Sequence, residues 1–135
     1  MTTNDAIRNL DERECWERLK AGSLGRLAYH LTDQVHIVPI NYAVGSGRRL
    51  LFRTAEGSKL LGVVMNADVA FEVDELADDR AWSVVARGCA RWVEGQESRD
   101  ADLLPGSPWI DTPKYNVVAI DVTEVTGRAF NLDRP

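Results

Sequence analysis

Val35-His36-Ile37-Val38-Pro39-Ile40-Asn41-Tyr42-Ala43-Val44 is the stretch on which the fold turns. Val38, Ile40, Tyr42 and Val44 recur at every second position, the period of a β-strand rather than a helix. Pro39 removes one ladder donor from that strand. The strand therefore lies at an edge or carries a bulge, where another molecule can approach the backbone.

Working outward, Leu24–Leu31 has the same period and is separated from this strand by the turn residues Thr32-Asp33-Gln34. On the other side, Gly45-Ser46-Gly47-Arg48 is a tight turn leading into a third strand, Arg49–Thr54. Three strands on short loops make an antiparallel meander. Upstream, Asp11 can cap a helix, with Glu14 at its third position and Leu10 stapling onto Cys15, and Gly22 stops it. Residues 1–10 read as a flexible arm.

Downstream, Ser58–Asn66 reads as a short helix and Val69–Val73 as a fourth strand. Trp82–Val93 is a fifth strand whose Gly88 permits the bend that barrel closure needs. Gln96–Leu104 is a weak helix, Pro105–Pro113 a loop, and Asn116–Val125 a sixth strand. Six antiparallel strands with one inserted helix predict a mainly β domain over residues 11–135, a small split barrel that closes to hide its edges.

The chain has 135 residues and a net charge of −5, which is the size of one domain. A pI near 5.0 with no basic cluster argues against a nucleic-acid partner. No apolar run approaches the roughly 20 residues that span a bilayer, and the polar amino terminus lacks a secretory pattern. Cys15 and Cys89 have neither metal nor redox-dithiol spacing. A reduced, cytoplasmic setting is the expectation.

Chemistry is best signalled at Phe52-Arg53-Thr54-Ala55-Glu56-Gly57-Ser58-Lys59. Amides at a helix start attract an anion. Arg53 and Lys59 add positive charge, Thr54 and Ser58 offer hydroxyls, and Gly57 lets a ligand approach the backbone. Arginine suits bidentate phosphate contact. A capped surface helix with solvated cations would look the same. The second signal is Val38–Tyr42, where a proline-interrupted strand offers backbone groups and the Asn41 amide to a planar heterocycle. An edge strand with Tyr42 packed in the core would look the same.

Three weaker patterns remain. A first turn pairing residues 31 and 35 would set His30 opposite His36, too few ligands for a metal site. Glu72 and Asp74 share one side of a strand, which fits an acid/base pair and equally a solvent-facing strand. Trp82 and Trp92 fit packing as well as ligand stacking.

Gly25-Arg26-Leu27-Ala28, Val38-Pro39-Ile40-Asn41-Tyr42, Leu51-Phe52-Arg53-Thr54 with Gly57-Ser58-Lys59-Leu60, Val69-Ala70-Phe71-Glu72-Val73-Asp74, and Ala81-Trp82-Ser83-Val84-Val85 with Gly88 follow in order. Together they resemble the pyridoxamine 5'-phosphate oxidase-like proteins, in particular the short branch that includes nitroimidazole-resistance-type proteins. The resemblance implies a flavin-reductase-like split barrel that dimerises, with flavin mononucleotide (FMN) at the subunit interface. Arg53, Thr54, Ser58 and Lys59 would then hold its phosphate, and Pro39, Ile40 and Asn41 would line its ring. Trp82, Ser83 and Trp109 would reach a neighbouring subunit's flavin.

True pyridoxamine-phosphate oxidases carry a further carboxy-terminal segment with Arg and His residues, and Phe130–Arg134 offers no counterpart. The expected activity is therefore oxidoreduction of another small molecule by a homodimer. A deazaflavin coenzyme is the alternative cofactor. A non-catalytic flavin or haem module is the alternative class.

Overall fold

A computed structural model of the chain describes residues 7–55, 67–94 and 115–132. These residues form β1 (Ile7–Leu10), α1 (Glu12–Ala21), β2 (Leu24–Leu31), β3 (Gln34–Asn41), β4 (Ala43–Gly45), β5 (Arg49–Ala55), β6 (Asp68–Leu76), β7 (Arg80–Val93) and β8 (Tyr115–Asn131). All pairings are antiparallel, in the order β3-β2-β6-β7-β8-β5-β4, with β1 added along β8.

The two ends of that order, β3 and β4, are separated in the chain by Tyr42 alone. The hydrogen-bonded path does not close on itself. The chain closes it, because one extended segment pairs with β2 through its first half and with β5 through its second. This is the split of the barrel, and it falls on the segment read above as a single strand. Tyr42 is buried in the core, and its hydroxyl donates to the Leu19 carbonyl at 2.5 Å, which pins the bend to α1.

The inner rows follow from strand alternation. Leu27, Tyr42, Leu50, Phe52, Phe71, Val84, Val118 and Ile120 are buried in one cluster. Helix α1 seals one end of it with Cys15 and Leu19. The predicted cap is present: Asp11 accepts from the Glu14 amide at 2.8 Å, and Glu14 accepts from the Asp11 amide at 3.3 Å. Gly22 ends the helix, its N–H donating to the Arg18 and Leu19 carbonyls.

The register of β7 on β8 slips between Arg87 and Gly88. A Cβ on Gly88 would stand 2.1 Å from the Asp121 carbonyl oxygen, so the close approach of the two backbones admits only glycine.

Four expectations change. Ile7–Leu10, assigned to a flexible arm, form β1 against residues 127–130. The 35–44 strand is two strands, and with β1 added the described sheet has eight strands rather than six. The first turn pairs Leu31 with Gln34, so His30 faces Val35, while His36 faces Tyr29 and stacks on it with ring centroids 5.4 Å apart. The two imidazoles therefore point to opposite faces of the sheet. Finally, β8 continues to Asn131 instead of ending at Val125. The helices read at Ser58–Asn66 and Gln96–Leu104, and the loop at Pro105–Pro113, lie outside the described residues.

Candidate functional site at the split

The β4–β5 ladder pairs Ala43 with Leu51 and Val44 with Leu50. Continuing that register past Tyr42 sets Asn41 opposite Arg53 and Ile40 opposite Thr54. There β3 has left β5 for β2, so the two segments singled out in the sequence face each other across the split. Asn41 is exposed, Arg53 half-buried and Ile40 packed against the core. Thr54 is buried, at 5% exposure, and its Oγ1 has no hydrogen-bond partner among the described residues. A buried hydroxyl without a partner is costly, and folded proteins keep few of them.

The outer face extends this arrangement sideways. Asn41 pairs with Leu24, and Asp74 with Ser83. The β2–β6 register, in which Arg26 pairs with Glu72, carries Leu24 to the level of Asp74. Arg53, Asn41, Leu24, Asp74 and Ser83 thus form one transverse row. At about 4.8 Å per strand it is roughly 20 Å long.

Two residues along the strands, on the same face, Arg26 donates to Glu72 at 2.7 Å and to Asp74 at 2.9 Å. Burial raises the Glu72 carboxyl above its usual range, the neighbouring Asp74 raises it further, and Arg26 opposes both. The Arg26 guanidinium is itself held above its ordinary value, chiefly by its hydrogen bond to Glu72. Glu72 and Asp74 do share a side, as the strand period required, and Arg26 bridges them.

Pro39 and Trp82 line one cleft of about 330 Å³ together with Gly22, Ser23, Arg26 and Asp74. Pro39 is exposed on β3, which forms an edge of the hydrogen-bonded order, as a proline in mid-strand demands. Trp82 is half-buried, with the Arg18 guanidinium 5.4 Å from its ring centroid. Ser83 points to the opposite, outer face. The structure therefore brings Pro39, Ile40, Asn41, Arg53 and Thr54 to the split, and it places Trp82 in a cleft with Pro39 of the same chain. Ser58, Lys59 and Trp109 lie outside the described residues.

Arg26 was given no role in the sequence reading. The alternation of β2 sets it on the outer face, and only the pairing with β3 sets it beside Pro39. Arg91 was also missed. It forms a two-point pair with Asp121, one contact at 3.1 Å, on the face that carries Arg53. Among the described residues no group of His, Cys, Asp and Glu could hold a metal ion. No helix there is long and apolar enough to cross a membrane.

Residues 11–129 match the family described as pyridoxamine 5'-phosphate oxidase. A protein from Corynebacterium glutamicum, described as a candidate pyridoxamine 5'-phosphate oxidase, superposes with a TM-score of 0.82 at 44% identity, covering 96% of this chain and 97% of its own. An FAD-binding protein from Mycobacterium smegmatis gives a TM-score of 0.82 at 38% identity, with 93% and 100% covered. A conserved protein of unknown function from Corynebacterium diphtheriae gives 0.78 at 45% identity, with 93% and 99% covered. With the split at Tyr42, the edge proline and the matched span in agreement, the chain belongs to the pyridoxamine 5'-phosphate oxidase-like family.

Proposed function

We propose that this protein is an FMN-dependent oxidoreductase acting on a small molecule other than pyridoxamine phosphate, and that it works as a homodimer. The observation that carries the reading is the buried Thr54 hydroxyl at the split, without a partner among the described residues, beside the half-buried Arg53. Consecutive strand residues point to opposite faces. A ligand touching both must therefore sit at the end of β5 rather than on either face, and a phosphate there would give Thr54 its missing partner. Ser58 and Lys59, four and five positions beyond Thr54, would complete the cradle. The FAD-binding relative from M. smegmatis supports a flavin in this role.

From that anchor the transverse row leads to Asn41 and on to Ser83, about the length of an extended flavin mononucleotide. Pro39, Ile40 and Asn41 would line the ring, with the Asn41 amide and the strand's free edge as polar contacts. When bound, the flavin would supply hydride or electron transfer, and the protein would supply position and electrostatics. Arg53 and Lys59 would neutralise the phosphate. Trp82, Ser83 and Trp109 would enclose the ring, with a second copy completing the enclosure. Exposed Leu24, Val35 and Ile37 on the same outer face support that second copy.

The test is a visible spectrum of the purified protein after adding FMN and desalting, with the released flavin identified by chromatography. Retained FMN is expected. Lys59→Ala should weaken binding about tenfold, the scale of a lost charge-assisted contact. Unchanged affinity in Lys59→Ala combined with Arg53→Ala would sink the assignment. Retention of FAD or of a deazaflavin in place of FMN would keep the anchor and change the cofactor.

A further inference from the structure

Three guanidinium groups gather at one corner of the barrel, although the chain as a whole carries a net charge of −5. Arg8 comes from β1, Arg18 from α1 and Arg80 from the start of β7. They line a cleft of about 280 Å³ together with Trp82 and Phe130, and a single carboxylate, Glu75, shares the lining.

Ladders hold these walls. Arg80 pairs with Asn131, and Arg8 with Ala129. The hairpin between β6 and β7 is tied by the Ala77 amide donating to the Arg80 carbonyl, and by the Leu132 amide donating to the Asp79 carbonyl, both at 2.8 Å. Like charges brought together on a fixed frame repel one another. Arg8 is offset by Glu14 at 2.9 Å. Arg80 meets the Asp79 carboxylate only at 3.9 Å. Arg18 has no carboxylate partner among the described residues and rests over the Trp82 indole.

A half-buried guanidinium without a carboxylate suits an incoming oxyanion. The indole and the Phe130 ring add flat apolar walls, which suit an aromatic body over a bare inorganic ion. We propose that this cleft binds a small planar aromatic carboxylate, its oxygens held by Arg18 and Arg80 and its ring against Trp82. Trp82 and Glu75 border both this cleft and the one with Pro39, but the cations are not shared: Arg8, Arg18 and Arg80 line the first and Arg26 the second, so the site is distinct from the proposed flavin position.

Benzoate is the probe, titrated into flavin-free protein while the indole N–H resonances of the four tryptophans are followed by NMR. The resonance that disappears in Trp82→Phe should move with benzoate. It should respond about tenfold more weakly to acetate and to benzyl alcohol, which lack the ring and the charge respectively. Arg18→Gln should weaken benzoate about tenfold, whereas Arg13→Gln on the same helix should leave it unchanged. Arg80→Gln provides a second reading should Arg18→Gln fail to fold.

A Trp82 resonance unmoved at millimolar benzoate would overturn the proposal. So would equal affinity in the folded Arg18→Gln or Arg80→Gln variant, or an equal response to acetate. Because flavin is absent, loss of the flavin assignment would leave this result standing.

Discussion

Tyr42 combines a packing role and a polar one. Its ring packs edge-on against Phe71 with centroids 5.0 Å apart, and its hydroxyl reaches the Leu19 carbonyl. Burial pushes that hydroxyl up to about 12 from 10.0. The folded state therefore holds the neutral form more tightly than the unfolded chain does. The stability this contributes is complete below pH 10 and is lost as the pH rises toward 12. Tyr42→Phe should cost about 1 kcal/mol at neutral pH through the lost hydrogen bond. It should also flatten the alkaline decline, so that urea midpoints of the two proteins converge between pH 10 and 12. A variant whose midpoint falls in parallel with the native protein over that range would contradict the assignment. At this scale the sequence was readable only in part. The alternation put Tyr42 inside, but nothing local showed that its hydroxyl would meet a helix more than twenty residues earlier.

Among the elements, legibility followed sequence separation. α1 was read with its cap because Asp11, Glu14 and Gly22 carry the whole signal within one short segment. β1 was missed because Ile7–Leu10 become a strand only against residues 127–130 at the far end of the chain. β8 was cut short at Val125 because Gly127 and Asn131 look like turn residues. In the fold, Gly127 is held between β1 and β7, where a Cβ would stand 2.8 Å from Cys15 Sγ. The candidate site divides the same way. The two segments at the split were legible from proline and cation placement, whereas Arg26 and Arg91 acquire meaning only from cross-strand partners. Gly88 was read as a bend, and its contact with Asp121 makes the reading quantitative. Gly88→Ala should destabilise by about 2–4 kcal/mol, because both backbones would have to separate. Chemical denaturation would measure it, and a loss below half a kcal/mol would show that the ladder can give.

For the whole molecule, the outer face sets charge and apolar surface side by side. Val35 and Ile37 are 68% and 67% exposed, next to the Arg26–Glu72–Asp74 cluster. A monomer gains nothing from leaving such residues in water, which supports the proposed second copy. Ile37→Glu should yield a folded monomer by size-exclusion chromatography and circular dichroism, with flavin retention falling together with dimerisation. A dimer unaffected by this change would move the interface to another face.

The bend at Tyr42 has a mechanical consequence. Among the described residues no ladder spans the split, so its two sides are joined by the chain at Tyr42 and by the core packed beneath it, as a clasp joins the ends of a bracelet. Sliding a guest in or out at that seam would break none of the described strand pairings. Cutting the peptide bond beside Tyr42 would undo the clasp and leave the shared core as the hold between the two ends of the strand order.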